Sequence, residues 1–263
     1  MFKIKPVQKI SLAAMLLILT VVGTRIPALF SIPSFEFVRL SLGPAFIIFS
    51  SIVLGPFYGA LIGAASDLLG AIVFPQTLGT IGTINPFITL MYGLMGALAW
   101  LVFFLIKKIK KTKILTIVLF SVVAAVYLFL LIYLLSNNSI TSFGGVVYNF
   151  NTAMKIIIIA LATILSAGFV ISYIYFAKYF ESKYKEVNAI IDYRQISFIV
   201  FVCELLICLI MGSFVKSFMY GVDFFVIFFI QSIMFFIDII LNSYISCLVL
   251  MVFENISKLS RRS

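Results

Sequence analysis

The chain has 263 residues, of which 63% are hydrophobic and only 11% charged, with a formal net charge of +10. A soluble domain carries about a quarter charged residues, so a chain this apolar has lipid as its natural solvent. The basic residues do not form a stripe or groove of the kind that would read nucleic acid. They cluster beside apolar runs: Lys3, Lys5 and Lys9; Lys107 to Lys113; Lys178, Lys183 and Lys185; Lys258, Arg261 and Arg262. That is the positive-inside pattern of a membrane protein.

Spanning helices need roughly 20 mostly apolar residues. The chain predicts eight of them, over 9–30, 40–54, 56–74, 84–106, 113–136, 153–178, 196–215 and 222–253. The first has no small-x-small cleavage site and flows into further apolar segments, so it reads as a spanning helix rather than a signal peptide. The second is short and ends at Gly55-Pro56, which predicts a helical hairpin with the third. An N-terminus inside the cell then places 107–113, 178–195 and the C-terminus on the cytoplasmic side, with the lysines. The outer connections, 31–39, 75–83, 137–152 and 216–221, hold few basic residues: Arg39 and Lys216, with Arg25 and Lys155 just inside helix ends. The expectation is an all-α, multi-pass plasma-membrane protein with both termini cytoplasmic.

Composition shifts along the chain. All seven prolines lie at or before Pro86 and ten of the fifteen glycines precede residue 97, whereas later helices are built from Ile, Phe, Leu, Val and Tyr. Glycine and proline allow close helix approach and breaks near binding sites. The first hundred residues therefore read as the functional part and the later helices as lipid-facing scaffold. The longest hydrophilic stretch, 178–195, is too short for a nucleotide-binding domain.

On the third helix, Gly59, Gly63, Asp67 and Gly70 share a face. Gly59 and Gly63 form a close-packing motif, widened by Ala60 and Ala64, that serves internal packing, a partner, or both. A carboxylate inside a span costs about 2.5–3.5 kcal/mol on insertion scales, so Asp67 is expected to pair or to line a cavity. Arg25 and Arg39 are its candidate partners. Both depart from the charge rule, and their planar forks suit carboxylates or phosphates, with snorkelling to headgroups as the plainer alternative. The connection from Phe74 to Pro86 carries Gln76, Thr77, Thr80, Thr83 and Asn85 on a glycine-flexible backbone; it reads as a lid over a polar aromatic ligand or as a surface crossing, with Asn85-Pro86 launching helix four. Glu204, Asp238 and Asn242 are further buried polar candidates. Cys203, Cys208 and Cys247 sit in apolar segments, and the chain has no histidine, which removes the usual zinc and haem sets. Without a phosphate-binding glycine loop or a His-Glu-x-x-His pair, an ATPase or zinc protease is excluded, and no cofactor or metal is expected.

Arg25-Ile-Pro, the run Phe37 to Pro44, and the run Leu54 to Gly70 containing Gly59, Gly63 and Asp67 together resemble the substrate-binding S components of energy-coupling factor (ECF) vitamin transporters. The folate-type branch is the nearest likeness, strongest over residues 10–106 and weaker over 196–253. The resemblance implies a six-helix core, and the extra segments then form an inserted hairpin. The domains read as 1–106 for the four N-terminal core helices, 107–195 for the insertion with basic flanks, and 196–263 for the last two core helices and basic tail. It further implies a vitamin site near the outer face, with Arg25, Arg39, Asp67, Gln76, Thr77, Thr80, Thr83 and Asn85 as ligand-binding candidates. The partners implied are a membrane coupling subunit and two cytoplasmic ATPases. The family docks through alanines at Ala-x-x-x-Ala spacing on helix one; this chain has none there, so Ser11, Ala13, Ala14, Gly59 and Gly63 are the docking candidates. Where folate-type members carry basic residues in the final helix, this chain has Gln231 and Asp238, which leaves another vitamin or precursor open. A stand-alone carrier or channel on the same bundle is the alternative, and an enzyme resting on Asp67, Glu204 and Asp238 is the weakest reading.

Overall fold

Each predicted apolar run is a helix in the computed structural model, which describes residues 6–25, 41–74, 85–109, 112–141, 147–187 and 192–259. In chain order these are α1 (Pro6–Arg25), α2 (Gly43–Leu54), α3 (Pro56–Val73), α4 (Pro86–Ile106) and α5 (Thr112–Ser136), followed by α6 (Thr152–Val187), α7 (Tyr193–Cys203), α8 (Gly212–Tyr220) and α9 (Phe224–Leu259). A π-helical stretch, Glu204–Met211, joins α7 to α8, so 193–220 forms one continuous span. Among the described residues, seven spans are long and apolar enough to cross a membrane. The eighth run, α2, has 12 residues and rises only about 18 Å against a hydrocarbon core of about 30 Å.

Local chemistry sets the boundaries. Pro56 and Pro86 occupy first helical positions, where the missing N–H is no loss. Gly55 separates α2 from α3 with φ +104° and ψ 172°, a conformation essentially confined to glycine, and its N–H still bonds the Ser51 carbonyl. Asn85 caps α4, its Oδ1 accepting from the N–H groups of Phe87 and Ile88 at 2.9 and 3.4 Å.

Contacts fix the direction of the elements. Leu42 N donates to Gly23 O at 3.0 Å, so α2 starts beside the end of α1 and runs back along it. Asp67 meets Thr89 while Gly59 meets Gly96, so α3 and α4 are antiparallel. Ser213 packs on Gln231 and Ser197 on Ser243, which sets α7–α8 antiparallel to α9. Ser41 meets Asp238 and Phe49 meets Phe253, so α2 and α9 are parallel, and the start of α1 and the end of α9 lie at the same end of the bundle.

Helices α1 to α4 pack among themselves, and α7 and α9 complete that group by packing on α4 and α2. Helices α5 and α6 pack chiefly on each other and on α7 and α9. Rings make this second contact: Phe129 on Phe228, Tyr133 on Phe229, Phe176 on Tyr244 and Phe180 stacked on Tyr193, at centroid distances of 4.9, 5.0, 4.7 and 5.3 Å.

Three features depart from the sequence reading. The spans of 193–220 and α9 are 56% and 50% buried against 22% for α1, so the last two spans are the centre of the bundle, not a scaffold facing lipid. Ile/Phe-rich composition marks a helix that meets apolar neighbours on every side, and protein and lipid are equally apolar neighbours. Second, the hydrophilic stretch after 178 is helical up to Val187. Third, the connection between α5 and α6 holds a two-stranded antiparallel hairpin, β1 (Ser139–Thr141) and β2 (Val147–Asn149), with Ser139 opposite Asn149.

Candidate functional site

The end of the bundle opposite the start of α1 and the end of α9 gathers polar groups inside the apolar wall. Arg25, the last residue of α1, reaches across to α3: its guanidinium donates to Asp67 O at 3.3 Å and pairs with Asp67 Oδ1 at 3.5 Å. A Cβ at position 70 would run into this guanidinium, so Gly70 is the residue that lets the arginine lie flat against α3. Thr89 of α4 donates to Asp67 Oδ2 at 2.6 Å. The two side chains of the pair are 17% and 11% exposed. The ion pair expected for Asp67 is thus formed, with Arg25 as partner and Thr89 as a second donor that sequence reasoning missed.

A second cluster lies between α2, the π-helical stretch and α9. Asn242 donates from Nδ2 to Glu204 Oε1 at 2.9 Å and to Ser41 O at 3.0 Å, while its Oδ1 accepts from Ala45 N at 3.3 Å. One amide side chain therefore ties three elements and satisfies backbone groups at the start of α2 that would otherwise be stranded in an apolar setting. Asp238 Oδ1 accepts from Ser41 N at 3.5 Å, and Ser246 donates to Ala45 O at 3.2 Å. The wider turn of the π-helix, a form concentrated at functional sites, begins at Glu204 and contains Cys208.

The two clusters act on common neighbours electrostatically. Tyr92 of α4 lies within electrostatic reach of Arg25, Asp67, Cys208 and Glu204, and Lys216 of α8 within reach of Asp238 and Cys208. With its amide set to satisfy its neighbours, Gln231 donates to Cys208 O and Ser213 Oγ at 3.1 and 2.8 Å and accepts from Lys216 Nζ. Tyr92, Cys208 and Asp238 are half-buried. No charged side chain is stable in this setting without partners, and intramembrane ionisable groups mark substrate paths.

The candidates named from sequence are distributed unevenly over this site. Arg25 and Asp67 are in it. Asn85 is committed elsewhere: besides capping α4, its Nδ2 donates to Met219 Sδ at 2.9 Å. Arg39, Gln76, Thr77, Thr80 and Thr83 lie outside the described residues. Gly59 and Gly63 serve the internal packing that their spacing suggested. A Cβ at Gly63 would strike the Tyr92 carbonyl, one at Gly59 would press on Ser51 of α2, and Gly96 faces the Gly59 backbone in return. Ser11 and Ala14 are exposed on α1 and Ala13 half-buried. Glu204, Asp238 and Asn242, read from the sequence as buried polar candidates, form the densest part of the site together with Tyr92, Lys216 and Gln231, none of which was a candidate site residue. Their common spacing is spatial, and only the fold brings them together. Among the described residues no group of side chains could hold a metal ion.

The structure is thus a helical multi-pass bundle with partnered charged and polar groups gathered inside one end. Residues 4–180 match the family described as ECF-type riboflavin transporter, S component, and the chain belongs to that family. It is therefore a subunit of a transporter and not an enzyme. The match falls on the riboflavin-type family and gives no support to the folate-type branch. No curated protein and no solved structure matches the chain.

Proposed function

We propose that the chain captures a riboflavin-type vitamin in the cleft between α1, α3, α4, α8 and α9 and delivers it into the cell with a coupling subunit and two cytoplasmic ATPases. The observation that carries this reading is the pairing of Arg25 with Asp67 and, at the same end, the cluster of Glu204, Asn242 and Asp238, built inside apolar spans where such groups are costly. Membership of the riboflavin-type family supports the ligand class. Folate, a dianion, is disfavoured by three carboxylates in the lining. The segments bearing Arg39 and Gln76 to Thr83 run in sequence into Ser41 and Asn85 at this end, which supports their assignment as closing loops.

The positive-inside pattern supports cytoplasmic termini, and the cleft then faces outward. On the cytoplasmic half, exposed Ser11 and Ala14 offer a small-residue face on α1 for the coupling subunit, whereas Gly59 and Gly63 act by holding α3 against α2 and α4. We also assign 107–195 as an insertion, because α5 and α6 pack on the outside of α7 and α9; this assignment rests on packing, since the family match extends across both helices.

The test is to purify the chain in detergent and identify its bound small molecule by mass spectrometry, with riboflavin fluorescence quenching as the affinity measurement. A stoichiometric flavin, and recovery of ATPases with the tagged chain from its native membrane, is the expected result. Vitamin uptake by the chain alone, with no ATPase recovered, would overturn it.

A further inference from the structure

Helix α2 begins inside the bundle without a side-chain cap of its own: its N-cap residue is Leu42, and Pro44 in its first turn has no N–H. Helix α9 supplies the cap instead. Asp238, Asn242 and Ser246 recur every four residues and so share one face of α9. That face meets the backbone of Ser41 and Ala45, themselves four residues apart. Asp238 Oδ1 accepts from Ser41 N at 3.5 Å, and Ser246 Oγ donates to Ala45 O at 3.2 Å. Between them, Asn242 donates from Nδ2 to Ser41 O at 3.0 Å and accepts at Oδ1 from Ala45 N at 3.3 Å. The amide thus stands between the carbonyl and the N–H that would close one more turn of α2. The place needs a donor and an acceptor at once, which an amide offers. The bond from Nδ2 to Glu204 Oε1, at 2.9 Å, fixes which way the amide faces.

The start of α2 is fastened in turn to the end of α1. Leu42 N donates to Gly23 O at 3.0 Å, and a Cβ on Gly43 would run into Thr24, so the two backbones lie in direct contact. Arg25 follows in the same turn of α1 and carries the pair with Asp67. Asn242 is 0% exposed, so any effect it has must pass through the elements it touches. We propose that Asn242 is a positioning residue: by capping α2 from α9 it holds the last turn of α1 where Arg25 meets Asp67. The inference rests on Arg25 belonging to the vitamin site.

The experiment measures riboflavin affinity by fluorescence quenching, and amide hydrogen exchange of the ligand-free full chain over residues 20–25. Asn242→Leu, close in volume, should weaken binding by about tenfold, the scale of one buried hydrogen bond, and should speed that exchange. In an Arg25→Met background the same substitution should change affinity by less than about twofold, because the group it positions is gone. Ser243→Ala breaks a different buried α9 contact, to Ser197, and should leave both readouts at wild-type values. Ser246→Ala removes one bond of the cap, should shift both readouts the same way by less, and takes the place of Asn242→Leu if thermal unfolding shows that variant is not folded. Wild-type exchange over residues 20–25 in folded Asn242→Leu, or an equal loss of affinity with and without Arg25, would overturn the positioning role; so would the same changes in Ser243→Ala. A wild type that binds no riboflavin, together with faster exchange in Asn242→Leu, would refute the riboflavin reading and leave the positioning of Arg25 standing.

Discussion

At the scale of single residues, the site depends on side chains that satisfy one another in a medium that offers no water. Removing either member of the Arg25–Asp67 pair strands the other, so Arg25→Met and Asp67→Asn should each lower thermal stability. The double variant should fall by less than the sum, a coupling of about 0.5–3 kcal/mol in a double-mutant cycle. Full additivity would show that the pair contributes nothing as a pair. Gly63→Ala places a methyl group against the Tyr92 carbonyl and should cost about 1–3 kcal/mol through overpacking. Because Tyr92 lies electrostatically close to Arg25 and Asp67 of the proposed site, riboflavin affinity should drop as well, which fluorescence quenching would detect. The glycine spacing was legible in the sequence because tight helix contact has few other solutions. The role of Tyr92 was not, since one tyrosine in an apolar helix carries no periodic signal.

Elements were legible where a local rule fixes them. Asn85-Pro86 and Gly55-Pro56 announced their boundaries, as a capping side chain and a residue with positive φ leave little choice. Asn85→Ala should cost about 1 kcal/mol of stability through the lost cap and leave ligand affinity unchanged. A large loss of affinity in a folded variant would return Asn85 to the binding residues. Gly55→Ala forces a Cβ into a backbone region that costs about 1–3 kcal/mol, and should unfold at lower temperature although nothing crowds the position. The π-helical stretch and the β-hairpin escaped the sequence reading for a different reason. The first differs from an α-helix by a shift of hydrogen bonding that hydropathy does not register, and the second spans only three residues on each side.

For the whole molecule, the order of the helices followed from hydrophobic length, with α2 alone too short for the span expected of it, whereas which spans are central did not. Lipid and protein interiors select the same apolar residues, so only buried polar groups distinguish them, and most of those sit on 193–220 and α9. If α5 and α6 are an insertion, a chain with residues 1–106 joined to 193–263 by a flexible linker should still bind the vitamin and recover the ATPases. The ring contacts of Tyr193 and Tyr244 would then be replaced by lipid. Loss of binding in a well-folded excised chain would make the pair part of the core. Helix α6 runs 36 residues, about 54 Å, nearly twice the hydrocarbon thickness, with Lys178 and Lys183 on its final turns. Such a helix behaves as a keel. Any reorientation of the subunit would have to lay this long, charged-ended rod down in the bilayer or sweep its lysines through the headgroups, so the energetics of turning over are written into its length.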